Sequence, residues 1–215
     1  MSELASATGD KTTIESSQMD ERSRRIVMTA MTLAEEGGFE AVRLRDVATH
    51  ANVALGTVYK RFSSKEDMLV AALGLEMGRL AHVVEFHPLE GHSTLQRVIE
   101  FFTRITQSMM DRPNFTRAVL RAVVSGEPDL ADKVIRFHSQ MIEMIVKAIT
   151  SDKASSLPAH EAALLANTLQ QIWFTALVGW MGGLHGSAEA IKQVEIVAKV
   201  MLNGLTEKST QSRQP

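Results

Sequence analysis

Apolar residues recur along most of the chain every three or four positions, which is the period of an amphipathic helix. The first such segment runs from Arg22 to Gly37-Gly38, a pair suited to a left-handed helix stop. Since no segment alternates as a strand does, the pattern predicts an all-α fold of about nine helices. The others are predicted at Leu44–Ala51, Leu55–Phe62, a long helix ending near Phe86, Thr94–Met110, Asn114–Val124, Asp129–Thr150, Pro158–Met181 and Ala188–Leu205.

Several predicted helix starts carry residues that reduce the cost of the free backbone N–H groups. Capping residues accept hydrogen bonds from these groups, and proline has no N–H to leave unpaired. Ser63 with Glu66, and Ser93 with Gln96, have the spacing of a capping box. The first of these boxes opens the long fourth helix. Prolines are expected at helix starts, where a missing N–H costs little, at Pro113, Pro128 and Pro158.

The stretch Ala162–Leu184 contains no Asp, Glu, Lys or Arg and is long enough to span a bilayer. Asn167, Gln170 and Gln171 lie inside it, and glycines weaken its end, which argues against a membrane span. We expect a helix that is buried inside its domain on one face and against a second subunit on another.

The chain of 215 residues has no cysteine, which excludes a disulfide framework and a cysteine nucleophile and fits a cytoplasmic protein. Its net charge is only −2, but residues 22–65 hold eight basic and four acidic side chains. A polyanionic partner is therefore expected to bind at this block alone. Residues 1–19 are polar and acidic and are predicted to form a disordered tail.

Residues 42–62 have the layout of a helix-turn-helix, with a turn at Asn52-Val53-Ala54. In its second helix Val58 and Phe62 are expected to point inward, so that hydroxyl groups and cations face outward. Such groups suit phosphates and base edges in a DNA major groove. The outward residues are Thr57, Tyr59, Lys60 and Arg61.

Two neighbouring residues extend this candidate DNA surface. Gly56 permits close backbone approach, and Lys65 lies in the first turn of the next helix, where its ammonium and free N–H groups can meet a phosphate. The alternative interpretation is a plain helical hairpin with a solvated cationic face. Arg22, Arg24 and Arg25 precede or open the first helix. They either follow the DNA backbone, reach a minor groove or form a solvated turn.

The run VALGTVYKRFSSKEDML at residues 53–69 resembles the recognition-helix signature of TetR-family transcriptional regulators, and GGFEA at residues 37–41 also fits. The resemblance covers about residues 20–75. It implies a dimeric repressor that leaves double-stranded DNA when a small ligand enters its C-terminal domain. Positions that match family DNA contacts are Thr57, Tyr59, Lys60 and Lys65.

The chain departs from the family pattern at three positions. Arg43 stands where the family often has Thr, which leaves the second helix without a good N-cap side chain. Ala54 replaces the usual Ser and removes a cap from the third helix. Leu55 is apolar where many members place a polar base reader, so a thymine methyl is its expected contact. Arg45 completes the predicted DNA-binding set.

The predicted domain organisation follows from these segments. Residues 1–19 form a tail, 20–65 the DNA-binding domain, 66–207 the ligand-binding and dimerisation domain, and 208–215 a second tail. The last two helices have apolar faces that suit a four-helix bundle with their copies in a homodimer, although packing within one subunit is the alternative. The expected seam on the last helix is Ile191, Val194, Val197, Val200 and Met201.

The C-terminal domain has a Met-rich, aromatic interior that suits a hydrophobic effector. Candidate ligand residues are Phe101, Phe102, Ile105, Met109, Phe115, Phe137, Met141, Trp173, Leu177 and Trp180. The run IWFTALVGW at residues 172–180 is similar to actinobacterial repressors of cholesterol and steroid catabolism, which implies a steroid-derived or fatty acyl-CoA effector. A drug or another lipophile is the alternative. Candidates for the CoA phosphates are Arg104, Arg117 and Arg121, which otherwise are ordinary exposed residues.

Enzymatic and metal-binding functions lack a matching motif. His82, Glu85, His87 and His92 lie close in sequence, but a Pro and a Gly interrupt the cluster. There is no His-Glu-x-x-His, Gly-x-Ser-x-Gly or phosphate-binding Gly-rich loop, so we expect no catalysis, no cofactor and no metal. A helical adaptor that binds protein instead of DNA is the remaining alternative.

Overall fold

The computed structural model describes residues 19–151 and 157–211. Of the predicted tails at residues 1–19 and 208–215, residues 1–18 and 212–215 lie outside these ranges. Residues 208–211 are described and continue the last helix, so the predicted start of the second tail was wrong. The regular structure within the described ranges is helical throughout, which confirms the predicted all-α class. The α-helices of the described residues are α1 (Glu21–Ala41), α2 (Leu44–His50), α3 (Leu55–Arg61), α4 (Lys65–Phe86), α5 (Thr94–Met110), α6 (Pro113–Val123), α7 (Ala131–Thr150), α8 (Ala159–Met181) and α9 (Ala188–Gln211).

Helix α1 is kinked at the glycine pair that the sequence marks as a stop. Gly38 has φ 68° and ψ −165°, a conformation that is essentially restricted to glycine. At Gly37, an added Cβ would lie 2.7 Å from the Cβ of Ala41. Both positions therefore require glycine, and Phe39–Ala41 form a separate short turn after the kink.

The predicted capping box of α4 was wrong by one position. The N–H of Asp67 donates to Ser64 Oγ at 3.1 Å, and the N–H of Ser63 donates to Asp67 Oδ2 at 3.0 Å. Because Ser63-Ser64 and Glu66-Asp67 offer the same spacing twice, the sequence pattern does not distinguish between the two registers. The folded structure uses the second register, in which Ser64 caps the helix and pairs with Asp67.

The second predicted capping box is confirmed, and so are the missing caps and the positions of the prolines. Ser93 and Gln96 form a reciprocal capping box at α5. Helices α2 and α3 follow Arg43 and Ala54, and neither residue makes a side-chain capping bond. The three prolines lie at or just before helix starts, at Pro113, Pro128 and Pro158.

Several helix limits differ from the prediction, and two of these differences follow from the residues at the helix end. Helix α9 continues to Gln211, past the expected end at Leu205, because residues 206–211 contain no Gly or Pro to stop it. The helix expected from Asp129 begins instead as a 3₁₀ turn, Pro128–Leu130, which leads into α7. Proline at the first position suits this tight turn.

The chain forms two compact units. The first unit ends at Arg79 and also includes Asn114–Val134; in it, α2 packs against α1 and α3. The second unit contains Leu80–Pro113 and the chain from Ile135 onward; in it, α9 packs against α8 and α5. The long helix α4 thus contributes residues to both units.

The charge-free segment forms most of α8, a helix of the second unit. Leu165, Leu169 and Leu177 in this helix are completely buried. Over the part of the chain that the structure describes, no helix is both long enough and apolar enough to cross a membrane. The burial of one face of α8 within its unit is therefore as predicted, and its burial against a second subunit stays a prediction.

Candidate DNA interface and ligand region

The turn between α2 and α3 fixes the direction of the candidate recognition helix. Asn52 adopts φ 51°, a left-handed conformation that asparagine tolerates better than most residues. The N–H of Val53 donates to the carbonyl of Ala48 at 3.0 Å and closes the turn. Val58 is completely buried and Phe62 is 5% exposed, which confirms the predicted inner face of α3.

The outer face of α3 is open to solvent. Tyr59 is 59% exposed, a large fraction for an aromatic side chain. A Cβ added at Gly56 would meet no atom within 4 Å, so the packing of the chain does not require glycine there. Of the other predicted DNA-binding residues nearby, Arg43, Arg45 and Lys60 are exposed, whereas Leu55 and Thr57 are partly buried.

Arg61 turns back toward the chain instead of extending from the outer face. Its guanidinium pairs with the carboxylate of Asp20 and donates to Ser23 Oγ. Asp20 is also the N-cap of α1, where it accepts a hydrogen bond from the N–H of Ser23 at 2.9 Å. This hydrogen bond and the Arg61 guanidinium hold the pKa of Asp20 below its usual value. Arg61 therefore joins the end of α3 to the start of α1.

The same connection places further cations beside α3. Because Asp20 and Ser23 bind Arg61, the exposed residues Arg22, Arg24 and Arg25 lie on helix turns next to the end of the recognition helix. Arg24 and Arg25 line a shallow surface groove of about 370 Å³, together with Glu21, Met28, Thr29 and Thr32. Their contact with DNA stays a prediction.

Lys65 lies in the first turn of α4, as predicted, and is the first residue of that helix. It has a carboxylate partner that the sequence pattern does not reveal. Its Nζ lies 3.1 Å from Glu40 Oε2 and 3.9 Å from the centroid of the Phe39 ring. The hydrogen bond from Lys65 is the main cause that lowers the pKa of Glu40. The other carboxylate oxygen of Glu40 lies 2.9 Å from Arg121 Nη1 on α6.

Nine of the ten predicted ligand residues lie in the second unit, and Phe115 lies in the first. Met109 is partly buried, and the others are nearly inaccessible. The rings of Phe102 and Trp173 have centroids 5.8 Å apart, and the indole N–H of Trp173 donates to Thr106 Oγ1 at 2.9 Å. Thr106 is not among the residues that the sequence pattern predicts.

A second polar pair in this unit is also missing from the sequence-based prediction. Gln170 on α8 is 2% exposed, and its amide forms a hydrogen bond with the Nδ1 of His138 on α7. Burial lowers the pKa of His138, an effect that the Gln170 hydrogen bond partly opposes. The sequence contained one indication of this pair, because Gln170 is a polar residue inside the charge-free stretch Ala162–Leu184. These groups place hydrogen-bonding atoms in the interior of the second unit, which also buries the charged side chains of Arg97 and Glu161.

The arginines considered for CoA phosphates are in different settings. Arg104 donates to the carbonyl of His87 at 2.7 Å and pairs with Glu100. Arg121 binds Glu40, and Arg117 is exposed. The histidines that follow α4 join no cluster of three or more His, Asp or Glu side chains placed to share a metal ion, within the described ranges.

A helix-turn-helix with an open outer face beside basic residues, followed by an all-helical second unit, is the architecture of a ligand-responsive DNA-binding transcriptional regulator. Two family models match this chain. Residues 26–72 match "Bacterial regulatory proteins, tetR family", and residues 91–202 match "Tetracyclin repressor-like, C-terminal domain". The chain belongs to the TetR family.

Individual relatives agree with this assignment. The HTH-type transcriptional repressor KstR of Rhodococcus jostii is 29% identical over 94% of this chain and 92% of its own length. KstR of Mycobacterium tuberculosis is 28% identical over 85% of this chain and 81% of its own. A TetR transcriptional regulator from Rhodococcus sp. RHA1 has the same fold, with a TM-score of 0.73, 21% identity and coverage of 84% and 95%.

Proposed function

We propose that the chain represses transcription by binding a pseudo-palindromic operator as a homodimer, and that a hydrophobic effector releases it from the DNA. The outer face of α3 carries the DNA-binding part of this proposal, because Gly56 and Tyr59 are open to solvent while Val58 anchors the helix in the core. Folding alone supplies no reason for this arrangement, whereas insertion into a major groove does. The KstR relatives are transcriptional repressors, which supports repression and not activation as the proposed function.

The proposed contacts differ in what they contribute. Tyr59, Lys60 and Lys65 donate to phosphates and set the position of α3, whereas Thr57 and Leu55 meet base edges or a thymine methyl. Gly56 brings the backbone close to the DNA. Arg43 and Arg45 add cationic contacts at the border of the interface, and Arg61 would add one only by leaving Asp20 and Ser23.

Selection of bound sequences from a random duplex library tests this proposal and identifies the operator in the same experiment. We expect a pseudo-palindrome whose half-site centres lie about one helical turn apart or slightly more. A folded protein that retains no duplex at low salt would contradict the proposal and favour a protein-binding helical adaptor.

The proposed dimer uses the last two helices, α8 and α9. Exposed apolar side chains lie on both, with Leu164 57%, Ile196 52% and Val200 68% exposed. Val194, which the sequence pattern placed in the seam, is completely buried within the single chain and belongs to its core instead. Ile196 therefore replaces Val194 in the proposed seam.

The proposed effector is a lipophile of the acyl or steroid class that enters the apolar interior of the second unit. The completely or almost completely buried Phe102, Trp173 and Met141 supply apolar surface, while His138 and Gln170 offer hydrogen bonds to an oxygen atom. The FadR regulator of Bacillus subtilis, solved in complex with stearoyl-CoA, shares this fold with a TM-score of 0.61 at 16% identity.

Fluorescence of the two tryptophans, Trp173 and Trp180, provides the test of the effector class. We expect stearoyl-CoA or a 3-oxo steroid to change the emission and to release the selected operator, and free coenzyme A to do neither. A response restricted to lipophilic drugs without an acyl or steroid skeleton would contradict the acyl or steroid assignment and favour the drug-responsive alternative.

The proposed domain organisation retains a DNA-binding domain at residues 20–65 and a ligand-binding and dimerisation domain at residues 66–207. A cytoplasmic location follows from the proposed contact with the operator. No enzymatic step is required for this function, because effector binding and DNA binding are coupled through their free energies alone.

A further inference from the structure

Glu40 lies between two cations of the first unit and binds both. One carboxylate oxygen is 3.1 Å from Lys65 Nζ and the other is 2.9 Å from Arg121 Nη1. Both cations also lie near the face of the Phe39 ring, 3.9 Å and 4.1 Å from its centroid. We call Phe39, Glu40, Lys65 and Arg121 the Glu40 cluster.

The kink in α1 gives the cluster its geometry. Gly38 adopts a conformation that other residues rarely reach, and Gly37 sits where a Cβ would collide with Ala41. The turn that follows carries Phe39 and Glu40 to the first residue of α4 and to the last turn of α6. The glycine pair therefore interrupts α1 and also positions Phe39 and Glu40 in the Glu40 cluster.

Helix α6 is attached to α1 at its other end as well. The N–H of Phe115 donates to Glu35 Oε2 at 2.9 Å, and the side-chain amide of Asn114 donates to the carbonyl of Glu35 at 3.0 Å. The start of α6 is therefore bound to α1 before the kink, and Arg121 is bound after it. The position of α6 determines whether Arg121 reaches Glu40.

The charges of the cluster determine how strongly Lys65 attracts a phosphate. With Arg121 in place, two cations and one carboxylate leave a net charge of about +1 beside the start of α4. Without Arg121, the Glu40 carboxylate neutralises Lys65, and the net charge is close to zero. Because the side chains of Glu40 and Arg121 are 68% and 56% exposed, salt screens this effect and keeps it modest.

We propose that Glu40 is a positioning residue that restrains the phosphate contact of Lys65, and that Arg121 on α6 relieves this restraint. Displacement of α6 would remove Arg121 from Glu40 and weaken DNA binding with no movement of the recognition helix. The inference rests on the proposed function, in which Lys65 contacts DNA.

A double-mutant cycle in the full-length protein tests the inference. Affinity for the selected operator duplex is measured by fluorescence anisotropy at low ionic strength. We expect E40Q to tighten binding about threefold and R121Q to weaken it about threefold, the range of exposed ion pairs. In the E40Q background, R121Q should weaken binding less, because only the charge of Arg121 itself is then lost and no carboxylate is freed to neutralise Lys65.

Two further variants separate the possible failures. E36Q removes a different exposed carboxylate from the same helix, so the effect of E40Q must exceed that of E36Q. K65A must weaken binding and lower the salt dependence by about one ion. If K65A has no effect, Lys65 lies outside the interface and the inference fails with that assignment. If K65A weakens binding but R121Q acts equally in both backgrounds, the inference alone is overturned.

Discussion

At Gly56 the stability of the chain and the proposed contact with DNA favour different side chains. Since a Cβ there meets no atom within 4 Å, G56A should raise the free energy of unfolding by up to about 1 kcal/mol through helix propensity. The added methyl should weaken operator binding by about 1 kcal/mol, the net value of one hydrogen bond. Chemical denaturation and anisotropy measure the two effects.

Gly74 on α4 supplies the matched control for this substitution. A Cβ there also meets no atom within 4 Å, so G74A should stabilise the chain without weakening DNA binding. Equal operator affinity of G56A and the parent protein would remove Gly56 from the interface.

Thr106 accepts a hydrogen bond in the interior of the second unit. T106V keeps the shape of the side chain but leaves the indole N–H of Trp173 buried without its acceptor. We expect a loss of about 1–3 kcal/mol in the free energy of unfolding, measured in urea. T106S, which retains the hydroxyl, should lose less. If the two variants are equally stable, the hydrogen bond contributes nothing measurable.

His138 makes the stability of the second unit depend on pH. Burial lowers its pKa in the folded chain below the ordinary value of 6.5, so the unfolded chain binds the proton more readily. The free energy of unfolding should therefore decrease as the pH falls below about 6.5. H138Q should flatten this dependence in urea titrations at several pH values, and the exposed-site variant H92Q should not.

Helices α1 and α3 are joined by the contact of Arg61 with Asp20 and Ser23, which points to a structural role for Arg61. If that role dominates, R61Q and D20N should lower the melting temperature by similar amounts, and the double variant should add little. Operator affinity distinguishes this structural role from a DNA contact. If Arg61 contacts DNA, R61Q should weaken operator binding more than D20N does and reduce the salt slope of binding by about one. Calorimetry and anisotropy provide both readouts.

The capping residues illustrate how far local patterns predict an element. The start of α5 follows from Ser93 and Gln96, since no neighbouring pair offers the same spacing. The start of α4 does not, because two overlapping serine and acid pairs compete, and Ser64 with Asp67 is selected. Asp67 also pairs with Lys133 at the start of α7, a tertiary contact that no local pattern contains.

The proposed dimer depends on the apolar side chains that α8 and α9 leave exposed. The double variant I196E/V200E places charges in this surface and should convert the dimer into a monomer of 23.7 kDa, measured by light scattering. Operator affinity should fall with it, because two half-sites then no longer act together. L184E changes an exposed apolar residue between the two helices and should stay dimeric. A dimeric I196E/V200E would contradict the seam.

The helices, the helix-turn-helix and the buried face of α3 could all be predicted from the sequence, because helical periodicity and turn residues act over a few positions. Val58 and Phe62 are one helical turn apart, and their burial follows from that spacing. The recognition motif is equally local, so its family was evident from residues 53–69.

The pairing of charged side chains, in contrast, is visible only in the folded chain. Arg61 binds Asp20 across 41 positions and Lys65 binds Glu40 across 25, so no periodic pattern connects them. Val194 belongs to the core while Ile196 stays exposed, because the orientation of α9 against α8 and α5 sets which of several apolar positions is covered. Helices form from neighbouring residues, but charge partners and covered faces depend on where distant segments of the chain meet.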